Sequence, residues 1–284
     1  MKKVIMQILK ALAYFAVYFI PLNVIMFIVQ YVYGVMKGRE FRAAGIGYEE
    51  GLAIINENLG TINEIGLLIA SVLILLTFFI IEKVKKTSIV KETDIKKVSG
   101  RQIGFTIIGA TGGMFFLNFI MSFLPIPQEM MNNMQNGLSN ITTSSLILGI
   151  VTNTILVPVM EEVVFRGYLF SRLNKAMPSI VAAIISSAVF GICHGGALWA
   201  LWAFTVGMII CIVRIKSGSI IPGMIFHIIM NGFSTIIGHT TFLENIEKPA
   251  FVALTVVGGI MLLVYIGGIL LDKTSARDNA NATV

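Results

Sequence analysis

Two adjacent carboxylates, Glu161 and Glu162, stand inside the apolar run Met160-Glu161-Glu162-Val163-Val164-Phe165-Arg166-Gly167. A charge at membrane depth costs at least ~2.5 kcal/mol and is retained only where it is paired or used. Of the fifteen acidic residues in the chain, these two alone read as lying within a hydrophobic run, with the rest in polar connecting stretches. Adjacent helical residues point about 100° apart, so the two carboxylates meet different neighbours and take different duties. Glu162 and Arg166 stand at i, i+4, the favourable order for a carboxylate followed by a cation, and read as a charge-neutralising pair. Glu161 is then left to face a cavity, in desolvating surroundings where a carboxylate serves as a general base.

The chain has three histidines, and two of them, His194 and His227, lie in apolar stretches. Asn231 follows His227 by one helical turn and Phe190 precedes His194 by one, so each pair shares a helix face. A lone membrane histidine is more often a helix–helix hydrogen-bond partner than a catalyst. Two of them, with two glutamates and an asparagine in neighbouring helices, favour acid–base chemistry. The junction Ala176-Met177-Pro178 stops one helix and starts the next. Glu161 precedes that turn by about as many residues as His194 follows it, which puts both roughly 25 Å from the turn at ~1.5 Å per residue. His227 falls ~15 Å past the Lys216–Ser219 turn on the same rise. The spacing therefore predicts that all three converge at one level, reached from the cytoplasmic side.

These residues need a membrane bundle to hold them. The chain is 56% hydrophobic and 13% charged, with a mean hydropathy of +0.86, whereas soluble domains carry roughly a quarter charged residues. The reading is an all-α, polytopic transmembrane bundle of about eight helices, a single integral membrane domain over 1–284. Apolar stretches of about twenty residues fall at Ala11–Met36 (with Pro21 inside), Ile65–Ile81, Ile103–Leu124, from Ser144 through the glutamates, Pro178–His194, Ala197–Ile215, Ile220–Gly238 and Pro249–Leu271. The basic segment Glu82–Arg101 and the Lys2-Lys3 terminus read as cytoplasmic, and Pro125–Thr143, without a basic residue, as outside. Alternation then puts both termini in the cytoplasm and the stretch from Lys37 to Glu64 in an outer loop. Within that loop Ile46–Leu59 reads equally as an interfacial helix or as a solvated connection. The net charge of +6 fits positive-inside loops, and no basic patch is interleaved with aromatics, so the partners are the lipid bilayer and no nucleic acid. Cys193 and Cys211 read as small core residues, Trp199 and Trp202 as aromatic-belt anchors, and Gly195-Gly196 as a tight outer turn.

Glu161-Glu162-x-x-x-Arg166, Phe190-x-x-x-His194 and His227-x-x-x-Asn231 resemble, in order, the signature motifs of the CPBP intramembrane proteases. That family includes the CAAX prenyl endopeptidases and the Abi-type bacteriocin-processing or immunity proteins. Each motif alone is weak; the three in order, with Phe165-Arg166-Gly167 completing the first, are strong. The resemblance implies a protease-like core at about 144–240 and an intramembrane endopeptidase acting on a membrane-associated peptide or protein. In that scheme Glu161 with His194 activates a water, and His227 and Asn231 donate to the oxyanion. Glu162, Arg166 and Phe190 support them.

Glu161, His194 and His227 are also proper ligands for Zn2+. The H-E-x-x-H pattern of zincins is absent, however, so the sequence requires no metal. Two other functions compete with proteolysis: a bacteriocin-immunity or regulatory partner protein whose polar cluster only holds the fold, and a transporter that relays protons through Glu161 and His194. No repeat of the helical pattern between halves supports the transporter.

Overall fold

The computed structural model describes residues 1–139, 145–240 and 245–271, and these form helices joined by short connections, with no strand among them. The chain opens with two long helices, α1 (Lys2–Ala44) and α2 (Tyr48–Val84), packed on each other. They are joined across Gly45, whose φ of +70° suits a residue without Cβ. At 1.5 Å per residue they run roughly 65 and 55 Å, well beyond a ~30 Å hydrocarbon core.

The spans expected at Ala11–Met36 and Ile65–Ile81 therefore continue into a helical hairpin, and the expected outer loop between Lys37 and Glu64 is helix apart from its turn. Ile46–Leu59 belongs mostly to the first turns of α2. Two glycines of α2 allow close approach. A Cβ on Gly51 would stand 2.7 Å from the Phe41 ring, and one on Gly66 would stand 2.8 Å from the Met26 sulfur. Glu64 and Glu82, read from the sequence as loop acids, are buried inside α2.

The short α3 (Ile89–Glu92) leads to α4 (Gly100–Phe119), which begins with a reciprocal Ser99–Gln102 capping box and runs on as a 3-10 turn to Phe123. The unforeseen α5 (Gln128–Ser139) occupies part of the segment read as an outer loop. Next come α6 (Leu146–Asn174), α7 (Ser179–Ile192), α8 (Ala197–Ser217), α9 (Ile221–Ile237) and α10 (Lys248–Leu271). The expected start of the fourth span at Ser144 lies outside the described residues. Among the described residues six helices, α1, α2, α4 with its extension, α6, α8 and α10, are long and apolar enough to cross a membrane; α7 and α9 are apolar but shorter. The chain is a multi-pass membrane protein. These two shorter apolar helices are the ones to which the histidine motifs belong.

Packing falls into two clusters. The first wraps α6 with α1, α2 and α7, and includes Tyr14, Phe78 and Tyr168, whose rings stand 4.5 Å apart on either side of Tyr168. The second joins α4, α8, α9 and α10 around Phe226 and Tyr265. There α4 and α10 meet through glycines, and a Cβ on Gly112 would stand 2.7 Å from the Gly258 carbonyl oxygen. Small residues let membrane helices approach this closely. Leu12, Phe27, Leu76, Phe79, Val256 and Leu263 face outward, as lipid contact requires of an apolar surface.

The basic end of the bundle is tied by ion pairs. Asp94 meets Arg214 at 2.5 Å and Lys96 at 2.9 Å, and Arg172 pairs with Glu92. Ser219 Oγ donates to the Lys96 carbonyl at 2.8 Å, so the α3–α4 connection is held down on α8. Partial burial pushes the Asp94 carboxyl up, but the hydrogen bond from Lys96 and the charge of Arg214 outweigh it and hold the group below the ordinary carboxylate range.

Two outcomes follow. Gly112→Ala should destabilise the protein by about 1–3 kcal/mol through overpacking, seen as a lower thermal midpoint in detergent. Gly104→Ala, with nothing within 4 Å of the added carbon, should leave the midpoint unchanged. Because folding lowers the Asp94 pKa, its stabilisation is complete above an unfolded value of ~3.9 and is lost as pH falls through the folded value. Asp94→Asn should therefore lower the midpoint at pH 7, and the gap from wild type should close as the pH is brought below 4.

Candidate active site

Glu161, Glu162 and Arg166 hang on α6, which is not a uniform α-helix. It widens to π-helix at Ile150–Leu156 and again at Glu162–Leu169, with an α-helical piece, Val157–Glu161, between. Pro158 lacks an N–H and its ring crowds the carbonyl one turn back, and the first wide turn accommodates it. Such turns concentrate at functional sites. Here the widened segments carry Asn153, Glu162 and Arg166 and flank Glu161.

Arg166 and Glu162 are both 0% exposed. Arg166 Nη1 donates to Glu162 Oε1 at 2.8 Å, so the i, i+4 pair expected from spacing is present. The guanidinium lies 4.4 Å from the centre of the Phe190 ring, a cation–π contact that is strong when desolvated. The same ring meets Phe165, His194 and His227 edge-on, with centroids 5.0, 4.5 and 5.8 Å away. Phe190 is thus the hub around which α6, α7 and α9 bring their polar groups.

His227 bridges the two glutamates, which spacing alone did not foresee. Its Nδ1 stands 3.0 Å from Glu162 Oε1 and its Nε2 3.6 Å from Glu161 Oε2. A carboxylate already paired with arginine can only accept, so His227 Nδ1 donates to Glu162 and Nε2 is the nitrogen turned toward Glu161. His194 is set in the same way. Its Nδ1 donates to the Phe190 carbonyl at 2.8 Å, which leaves Nε2 as the basic nitrogen. Glu161, 7% exposed, lies at the edge of this network within electrostatic reach of His194, Tyr18 and Cys193. Its nearest ring nitrogen is His227 Nε2, at 3.6 Å.

Asn231 stands one turn beyond His227 on α9 and donates from Nδ2 to the main-chain carbonyl of Asn153 at 3.0 Å. Asn153 Nδ2 in turn donates to Glu64 Oε1 at 2.8 Å. Neither Glu64 nor Asn153 was singled out from the sequence. Trp199, read as a belt anchor, packs edge-on against His194 at 5.7 Å. Gly195 and Gly196, with φ of +68° and +46°, form the expected tight turn between α7 and α8.

Among the described residues, no group of three His, Cys, Asp or Glu side chains is gathered to hold a metal ion. The set Glu161, His194 and His227 has donor chemistry suitable for Zn2+.

Removing one partner of a buried ion pair typically costs about 3–5 kcal/mol, whereas replacing both by apolar groups can be neutral. Arg166→Met should therefore sharply reduce the thermal midpoint and the folded yield. The double variant Glu162→Leu/Arg166→Met should recover much of that loss, measured by thermal unfolding in detergent.

Comparison with known proteins places the same residues in a common context. Residues 143–233 match the Rce1-like family, described as type II CAAX prenyl endopeptidase Rce1-like. The chain is 26% identical over 115 residues to "Putative membrane peptidase YdiL" of Bacillus subtilis (strain 168), a match spanning 40% of this chain and 47% of that protein. It is 28% identical over 152 residues to "UPF0177 protein YxdF" of Lactococcus lactis subsp. lactis (strain IL1403), spanning 50% of this chain and 78% of that one. The chain thus covers about half the length of the first relative. No solved structure matches. The matched residues include Glu161, Glu162, Arg166, Phe190, His194, His227 and Asn231, so all three motifs fall within the segment that is similar to the Rce1-like family.

Proposed function

We propose that the chain is an intramembrane endopeptidase that hydrolyses a peptide bond of a membrane-associated peptide or protein. The observation that carries this reading is the setting of Glu161. It is a carboxylate beside His227 Nε2, at the edge of a buried Glu162–Arg166–His227 network whose other charges are spent on one another.

In this reading Glu161, with the basic His194 Nε2 nearby, takes a proton from a water whose oxygen attacks the scissile carbonyl. The carbonyl π bond opens and places charge on its oxygen. Asn231 Nδ2 donates to that oxygen, since an asparagine amide donates without titrating in this range. His227 can also donate there, but only once its Nε2 holds a proton, which Glu161 is placed to pass to it. As the C–N bond breaks, the abstracted proton goes to the leaving amine, and the products are a carboxylate and an amine. Glu162 and Arg166 hold His227 in one tautomer, and Phe190 fixes the planes of Arg166 and the two histidines. Proteins are cut from the cytoplasmic side in this scheme, both termini being cytoplasmic by the distribution of basic loops.

The test uses purified protein in proteoliposomes with an internally quenched, farnesylated CAAX-type peptide, alongside peptidomics of cells carrying wild type or Glu161→Gln at matched abundance. Glu161→Gln should lower kcat by at least about 100-fold, in line with loss of a general base, with folding unchanged. Incubation with a chelator decides whether turnover needs a metal. Normal processing of every peptide in the Glu161→Gln cells, with the null phenotype rescued, would sink the protease reading in favour of a regulatory or immunity role.

A further inference from the structure

A third carboxylate lies deep in the bundle and is not used by the reaction above. Glu64 is 0% exposed, within the span-length helix α2. A buried membrane carboxylate is costly and marks function or a specific partner. Here the partner is Asn153 of α6, whose Nδ2 donates to Glu64 Oε1 at 2.8 Å.

Asn153 lies in the first wide turn of α6. A helical bond of the i→i+5 type from its carbonyl would need the N–H of residue 158. That residue is proline and has none. The donor that reaches the Asn153 carbonyl is instead Asn231 Nδ2, at 3.0 Å. The chain Glu64–Asn153–Asn231 thus crosses from α2 through α6 to α9 by two hydrogen bonds. The second commits one hydrogen of the Asn231 amide, fixes the amide plane, and leaves the other hydrogen to point elsewhere.

We propose that Glu64 is a positioning residue: by holding Asn153 it fixes the carbonyl that orients Asn231, and so sets where Asn231 donates to the substrate oxygen. This rests on the reading in which Asn231 stabilises the oxyanion. Glu64 touches no reacting atom, and α2, outside the Rce1-like segment, becomes part of the machinery through it.

Two arms test the proposal. The first is the side-chain amide spectrum of protein labelled with 15N at asparagine, in lipid nanodiscs, with the Asn231 pair identified by its disappearance in Asn231→Ala. Glu64→Leu should shift or broaden the Asn231 pair, whereas Glu64→Gln, which keeps an accepting oxygen, should leave it near its wild-type position. An Asn231 pair unmoved in Glu64→Leu overturns the proposal, whatever the protein's activity. The second arm is kinetic, with the quenched farnesylated peptide. Glu64→Leu should lower kcat about 10-fold or more with KM within about twofold, a fraction of the loss expected when an oxyanion donor is removed. Glu64→Gln should restore most of kcat. In an Asn231→Ala background Glu64→Leu should cost nothing further, because residues acting through one another are not additive. An equal loss in both backgrounds overturns the proposal and leaves Glu64 a fold residue. If Glu64→Leu does not fold, Asn153→Ala takes its place in both arms with the same expected outcomes. Turnover that does not depend on Glu161 fails the protease reading, while the spectrum still judges the hold of Glu64 on Asn231.

Discussion

The positive charge of Arg166 is wholly removed from water, and much of the protein is arranged so that this is tolerable. A buried guanidinium needs a carboxylate, a flat partner for its face, and a second donor to share the carboxylate. Glu162, Phe190 and His227 supply these from α6, α7 and α9. Three helices are thereby bound to one another at a single depth, and their mutual rotation is set by polar geometry, which in lipid is more exacting than apolar contact. Glu161 comes into place as the neighbour of a residue that cannot move.

Around that centre the molecule separates two kinds of packing. The α6 side is filled with aromatic rings, Tyr14, Tyr18, Phe78, Phe165 and Tyr168 among them, which are rigid and keep a polar network dry. The α4–α10 side is joined through glycines in near backbone contact, a seam that resists shear without offering any chemistry. The helices of the histidine motifs, α7 and α9, are shorter than the six span-length ones. His194 consequently sits just past the end of α7, where the chain turns at Gly195-Gly196, and its ring meets the carbonyl of Phe190 and the edge of Trp199.

What the sequence made legible was whatever local spacing encodes. The Glu162–Arg166 pair follows from one helical turn, the α6–α7 junction from Pro178, and the grouping of both histidines with the glutamates from distances along antiparallel helices. The family resemblance likewise lives in four-residue spacings. Glu64 was illegible because it follows a polar, glycine-containing stretch with the composition of a loop. Gly51 within that stretch and Gly66 just after Glu64 let Phe41 and Met26 lie close against the helix, and the stretch runs on as α2 with Glu64 buried. The bridging position of His227 was illegible for another reason: it depends on the rotation of α9 about its own axis, which no count along the chain supplies. The contact of Trp199 with His194 was out of reach of a rule about interfaces, which says nothing of a neighbouring imidazole.

The wide turns of α6 carry a consequence for how this chain tolerates change in length. A π-turn holds about one residue more than an α-turn closing the same gap, so each is in effect an insertion stored inside a helix. Removing one residue from 150–156 while the wide turn persists would carry each later side chain back one position, about 100° round the helix. Glu162 would then stand where Glu161 now does, and the Glu162–Arg166 pair, displaced as a unit, would leave Phe190 and His227. The residue count of this stretch thus behaves as a phase setting, shared by the accepting carbonyl of Asn153 within it and the two carboxylates downstream.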